Sequence, residues 1–305
     1  MDVVVLGQNL VMDVEVRNSA GTASIFGAKI SDLLGTVGDD KIYQPPVSEF
    51  VLDLSEIKMC PAYGMIGKFA RTGVTEVDLS GLGPLEYRNQ FAYSFYGCLM
   101  LKKIVLGKLV DGSGSINIPR EQVCEAMFAN CYELEDAECY FSFLYGRSCC
   151  EGMFANCGKL TQSPVRTVEF IGGQYACRYM CQNTSFADAG VDKIEHISGV
   201  GACESMFAGA GVKVANFASL QMLDTSGCCA LMFDGCVELE EVFYPELVQI
   251  KANAFGESGK YKFRGCSGLR EIHFRADMQD VVEQLSGYDS KWGANNATIY
   301  FDLGV

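Results

Sequence analysis

The chain has 305 residues, and its 24 Lys+Arg against 38 Asp+Glu give a formal net charge of −14. So acidic a chain is a poor ligand for a phosphate backbone or an anionic membrane surface, both of which recruit clustered Lys and Arg. Apolar residues make up 49%, with 19 Phe and 14 Tyr, which supplies a sizeable core and excludes wholesale disorder.

The opening segment, MDVVVLGQNLVMDVEV, has neither the basic region nor the long apolar run of a secretory signal, so export by that route is not expected. No stretch approaches the roughly 18 apolar residues of a membrane span. Within residues 1–45, Val14 and Val16 alternate with Asp13 and Glu15 as in a half-buried strand, and Pro45-Pro46 follows. Two readings of this segment stand. It is an N-terminal cap, or it is a docking or oligomerisation module whose strand edge another chain completes.

From about residue 46 to 275 the sequence repeats itself. Phe95 opens FYGCLMLKKIVL, Phe128 FANCYELEDAEC, Phe154 FANCGKLTQSPV, Phe233 FDGCVELEEVFY and Phe263 FRGCSGLREIHF. Each has Cys three residues and Leu six residues after the Phe. Phe69, Phe186 and Phe207 open a shorter variant in which Gly-Val replaces the Cys-x-x-Leu spacing; the Phe186 copy is the weakest, because Cys181 also fits the Phe slot. Periods in the twenties to low thirties are those of solenoids.

Upstream of the Phe, Cys124, Cys150, Cys203 and Cys229 stand four residues before it, and Met127, Met153, Met206 and Met232 one residue before it. Apolar groups three and four apart predict a short helix or 3₁₀ turn. The alternation after the Leu predicts a short strand, and a variable loop then leads to the next unit. A lone unit cannot bury its apolar face, so the units stack with their strands in a parallel sheet. The 15 cysteines, with no C-x-x-C among them, read as small buried hydrophobes of the interior ladders.

These motifs resemble the BspA-type leucine-rich repeat family, whose units run roughly A-F-x-x-C-x-x-L-x-x-I-x-I-P. Here Met often replaces the Ala, and the Pro is mostly missing. The MF variant and the ending RADMQDVVEQLSGYDSKWGANNATIYFDL are similar to repeat proteins of gut bacteria and their phages. The resemblance implies a curved solenoid used for adhesion or protein recognition, and it brings no catalytic residues with it. In residues 276–305, ADMQDVVEQLS predicts an amphipathic helix with Met278, Val281, Val282 and Leu285 on one side, and ATIYFDL a closing strand. Together they read as a C-terminal cap, with Trp292 packed beneath.

Signals for chemistry are sparse. The two histidines, His196 and His273, fall at outward positions in different repeats, and ladder thiols are poor nucleophiles because burial raises their pKa. GSGS at 112–115 lacks the Lys-Ser/Thr ending of a phosphate loop. No cofactor or metal is called for, although a column of carboxylates is a chemistry that binds calcium. The outward positions taken as candidate binding residues are Asp78, Asp136, Glu138, Glu195, Glu241, Phe243, Glu271 and His273. Tyr132, Tyr140, Phe141, Phe143 and Tyr145 cluster after the Phe128 repeat, where the ECYFSFLY run reads either as exposed anchors for a partner or as a buried irregular strand.

The fold expected is an α/β repeat: a leucine-rich repeat solenoid with a parallel sheet on one face, short helices or 3₁₀ turns on the other, and terminal caps. The leading functional reading is a non-enzymatic binding or structural protein, an accessory or host-binding component of a phage or phage-like particle. The alternatives are a bacterial cell-surface adhesin and, third, a carbohydrate-active solenoid enzyme. The expected partner is a protein or a surface glycan, with no nucleic acid and no membrane insertion, and with residues 1–45 available for homo-oligomerisation or for docking onto a larger assembly.

Overall fold

A computed structural model describes residues 51–55, 65–81, 85, 87–106 and 120–304, and the backbone alone of short strands at 5–6, 9–10, 12–18, 21–28, 36–37, 43–44, 50 and 117–118. The expected alternation around Val14 lies in the strand Met12–Asn18, which pairs antiparallel with Gly21–Ala28. The role of residues 1–45 as cap or docking module falls outside the described residues, as does GSGS at 112–115.

Each coil has three sides. The first is the strand expected after the repeat Leu. Phe50–Asp53, Val74–Asp78, Lys103–Leu106 and Asp136–Cys139 lie side by side in parallel, as do Val214–Asn216, Glu241–Tyr244, Glu271–Arg275 and Thr298–Leu303. Between these two sheets the ladder breaks where Pro164, which has no N–H to donate, falls in the strand position. Contacts reach into the gap from each side: Thr161 donates its N–H and hydroxyl to Glu135 O on one, and the bridge Asp188↔Val214 lies on the other.

The second side corrects the sequence reading. The segment taken for a variable loop holds another parallel strand, only two residues long in each coil. Asn117–Ile118, Phe143–Leu144, Phe170–Ile171, His196–Ile197, Met222–Leu223 and Gln249–Ile250 form one six-stranded sheet in chain order.

The third side carries the repeated Cys-x-x-Met-Phe, and it is neither α-helix nor 3₁₀-helix. It is a run of turns with a left-handed residue at every fourth position: Gln122, Ala126 and Asn130 in one coil, and Ser148, Gly152 and Asn156 in the next. Alternate N–H groups pair within the coil and between coils. The Met127 N–H donates to Cys124 O, whereas the Cys124, Ala126 and Phe128 N–H groups donate to Cys149, Glu151 and Met153 O of the next coil. A four-residue turn repeat puts side chains inward at i, i+3 and i+4, the spacing that had implied a helix.

Inside, the repeat Phe rings form a stacked column. Phe69, Phe95, Phe128 and Phe154 follow one another at centroid distances of 5.4, 5.4 and 5.6 Å, and Phe207, Phe233 and Phe263 at 5.3 and 6.0 Å. Between the two runs Cys181, not Phe186, takes the slot: the Phe154 N–H donates to Met180 O, and the Cys181 N–H to Met206 O. Phe186 is buried beside the column and meets Phe207 edge-on.

The cysteines do more than fill space. The thiols of Cys98, Cys131, Cys157, Cys236 and Cys266 each lie 2.9–3.3 Å from the carbonyl oxygen of the repeat Phe one coil earlier. At Phe95, Phe128, Phe207 and Phe233 that carbonyl also accepts the N–H three residues on, so the S–H uses its second lone pair, while the Phe69 carbonyl takes the Thr72 hydroxyl as well. Thr72 and Thr184, which stand in the same slot, donate their hydroxyls to Phe69 O and Cys181 O.

At the C-terminal end, a 3₁₀ turn Ala276–Met278 runs into a one-turn helix Gln279–Val282, shorter than expected. Met278, Val282 and Leu285 are buried, whereas Val281 is exposed, because so short a helix points only part of the predicted stripe inward. Trp292 is fully buried, meets Phe255 edge-on at 5.0 Å, and accepts the Phe263 N–H at its carbonyl, as Met153 and Lys262 accept the N–H of the Phe one coil earlier, so it stands in the Met slot of the closing coil. The strand Thr298–Leu303 then pairs in parallel with Glu271–Arg275. No helix among the described residues is long and apolar enough to cross a membrane.

Candidate functional site

With the interior occupied by ladders, recognition falls to the outward positions of the two strand sides. Register places the eight candidate residues in three separate places. On the first sheet, Asp53, Asp78, Val105 and Glu138 share one outward row, and Val51, Glu76, Lys103 and Asp136 the other. Asp78 and Glu138 are therefore two strand spacings apart, about 9–10 Å, with Val105 between them, and Lys103 separates Asp136 from Glu76. All three carboxylates of the Asp78 row have local partners, Asp53 accepting the Ser55 N–H at 3.0 Å. The Asp78 side chain accepts the Ser80 N–H at 2.8 Å, and Glu138 the Tyr140 hydroxyl at 2.9 Å. No group of three or more His, Cys, Asp or Glu among the described residues could hold a metal ion.

The second place gathers Glu241, Phe243, Glu271 and His273. Glu241 and Glu271 are register neighbours, as are Phe243, His273 and Tyr300 two residues further along. His273 is sandwiched between Phe243 and Tyr300 at 4.7 and 4.9 Å with near-parallel planes. Its Nε2 lies 3.1 Å from Glu271 and its Nδ1 2.9 Å from Asp302. Sequence reasoning missed Tyr300 and Asp302, because only the pairing of the last strand brings them beside the repeat.

Glu195 belongs to the third place, on the second-strand side. There Phe143, Phe170, His196 and Met222 occupy one outward row across four coils. Tyr145, 47% exposed, lies 5.9 Å from Phe143 and 4.9 Å from Phe170, and Phe170 meets His196 at 4.9 Å. Gly172 makes room for these rings: a Cβ there would lie 2.3 Å from Phe170 Cε1 and 3.3 Å from Tyr145 Cδ1. Carboxylates line the row. Glu169 and Glu195 precede Phe170 and His196, and Asp224 reaches His196 Nε2 at 3.0 Å. Of the predicted aromatic cluster, Phe143 and Tyr145 are part of this surface and Phe141 is fully buried in the core. Phe170 and Met222 were missed, although S-F-L, E-F-I, E-H-I and Q-M-L recur every 26 or 27 residues.

The fourteen described cysteines are free thiols, thirteen of them buried. Burial pushes Cys98 up to about 11 and Cys157 and Cys236 up to about 12, which keeps these thiols protonated at neutral pH. Both histidines pair with carboxylates. The fold is that of a leucine-rich-repeat-type solenoid.

No family model and no curated protein matches the chain. Among solved structures it is similar to a leucine-rich repeat protein from Bacteroides ovatus, at 14% identity and a TM-score of 0.30, over 84% of this chain and 71% of that one. It is also similar to a leucine-rich cell surface protein from Faecalibacterium prausnitzii, at 13% identity and a TM-score of 0.23, over 98% of this chain and 94% of that one. Both scores are too low to bear on the fold, which stands on the ladders and hydrogen bonds above.

Proposed function

We propose that the chain is a non-enzymatic binding protein of the BspA repeat type that captures a polypeptide partner on its second-strand side. The observation that carries this reading is the outward row Phe143, Tyr145, Phe170, His196 and Met222, partly exposed and edged by Glu169, Glu195 and Asp224. An aromatic centre with a charged rim is the anatomy of an interface hot spot. Carboxylates around π-faces favour Lys and Arg on the partner, through ion pairing and cation–π contact, and the net charge of −14 steers such a partner in.

The test is selection of a displayed random peptide library on the wild-type chain and on Phe170→Ser/His196→Ser. The expected outcome is enrichment of Lys- or Arg-bearing peptides with aromatic residues, with binding that weakens in salt and is lost on the double variant. Peptides that bind both proteins equally, or no enrichment, would overturn the reading. The finer reading, a component of a phage-like particle anchored through residues 1–45, rests mainly on the repeat resemblance, with the non-repeat N-terminal segment beside it. Fractionation of the producing culture separates a particle-borne chain from a cell-surface one.

A further inference from the structure

At the corner where the second strands pass into the turn side, a cavity of about 200 Å³ opens between Tyr175 and Lys260. The sequence of the coils creates it. The first left-handed position of successive turn sides holds Gln122, Ser148, Tyr175, Gly201 and Gly227, so two neighbouring coils lack a side chain there. The Tyr175 ring leans over Gly201, with Cε1 2.4 Å from where a Cβ would stand, while a Cβ on Gly227 would meet nothing within 4 Å. The Arg178 guanidinium fixes the ring from 4.4 Å and is itself paired with Glu151.

The opposite wall is an insertion. The step from Phe233 to Phe263 is 30 residues, where Phe69 to Phe95, Phe128 to Phe154 and Phe207 to Phe233 are each 26. The extra residues fall in the Gly256–Lys260 loop, and Lys260 reaches back across two coils to Glu204, 3.8 Å away. Ser226, Asn253 and Glu257 complete the polar lining.

This lining selects a ligand class. Two carboxylates disfavour an anion, and the Lys260 ammonium disfavours an inorganic cation. The lining offers ammonium, amide and hydroxyl donors together with carboxylate and amide acceptors beside one aromatic ring, which matches a neutral polyhydroxylated ring. The volume is below the roughly 300–1,000 Å³ of drug-sized sites, so one ring fits and a chain does not. We propose that this cavity binds a single neutral pyranose, as a free monosaccharide or as the terminal residue of a glycan. The site is separate from the aromatic row and stands or falls without it.

The test is saturation-transfer NMR on the full chain with millimolar glucose, galactose, mannose and N-acetylglucosamine, each also as its methyl glycoside. The expected result is transfer to one or more of these sugars, lost in Gly227→Asn and in Lys260→Met and retained in Phe170→Ser. Asn tolerates the left-handed backbone at 227 and fills open space, and Lys260 is a surface side chain, 61% exposed, so both variants should melt like the wild type. Transfer to the methyl glycoside marks a glycan terminus as the source, and transfer to the free sugar alone marks a monosaccharide. The absence of transfer to every sugar would overturn the proposal, as would transfer that survives in folded Gly227→Asn.

Discussion

Lys262 occupies the slot that Met127, Met153, Met206 and Met232 fill in other coils, one residue before the repeat Phe. It is fully buried, and its Nζ donates to the Tyr244 hydroxyl at 2.7 Å. Five rings surround the Nζ, their centroids 4.5–5.7 Å away: Phe217, Phe233, Tyr244, Phe255 and Phe263. Burial lowers its pKa from the ordinary 10.5. The unfolded chain therefore holds a proton that the folded chain gives up, and stability rises with pH from the folded-state pKa to about 10.5. The slope contributed by this one site is at most about 1.4 kcal/mol per pH unit.

Lys262→Met removes that penalty but strands the Tyr244 hydroxyl, itself fully buried, at a cost of about 1–3 kcal/mol. The single variant should therefore lie close to the wild type. Tyr244→Phe alone leaves the amine unpaired and should lose about 1–3 kcal/mol. The double variant Lys262→Met/Tyr244→Phe restores an apolar ladder and should gain about 1–3 kcal/mol, so the coupling in the cycle, which also recovers the loss of Tyr244→Phe, is about twice that size. Urea unfolding of all four proteins from neutral pH to just below the ordinary lysine pKa measures both effects. A double variant no more stable than the wild type, with the same dependence on pH, would refute the reasoning.

Other outcomes follow from the ladders. Phe128→Ala removes a fully buried ring stacked on both sides and should cost about 3–5 kcal/mol in urea unfolding. Cys131→Ala loses the thiol contact to Phe95 O and should cost about 1 kcal/mol. Cys131→Thr, which copies Thr72 and Thr184, should cost less than Cys131→Ala by the same measurement. Because burial pushes Cys98 to about 11 and Cys157 to about 12, neither should react with maleimide at neutral pH until urea unfolds the chain; peptide mapping of labelled native protein checks this.

The interior was legible because its signals are periodic. Phe, Cys and Leu at fixed offsets mark positions that every coil must fill alike. The turn side was misread because a four-residue turn repeat and a helix share the i, i+4 spacing, and only the left-handed residues, often Gly or Asn, tell them apart. The second strand escaped notice because two residues are too few to show alternation. Lys262 was visible in YKFRGC, where Lys stands in the Met slot, but burial of the amine depends on Tyr244 and rings from three coils. Candidate site residues were the least legible. Outward positions obey no ladder, so Glu271 and His273 were placed together while Asp302, which completes that contact, was not.

Coils of about 26 residues stacked in parallel register bring side chains one coil apart within reach of zero-length carbodiimide cross-linking of the unmodified protein. Lys159 and Glu133 lie 2.5 Å apart across one coil step, and Lys213 and Glu238 3.6 Å apart across another. Mass spectrometry should find amide links joining these two pairs, 26 and 25 residues apart. Links confined to residues three or four apart, with both of these pairs missing, would contradict the stacked solenoid.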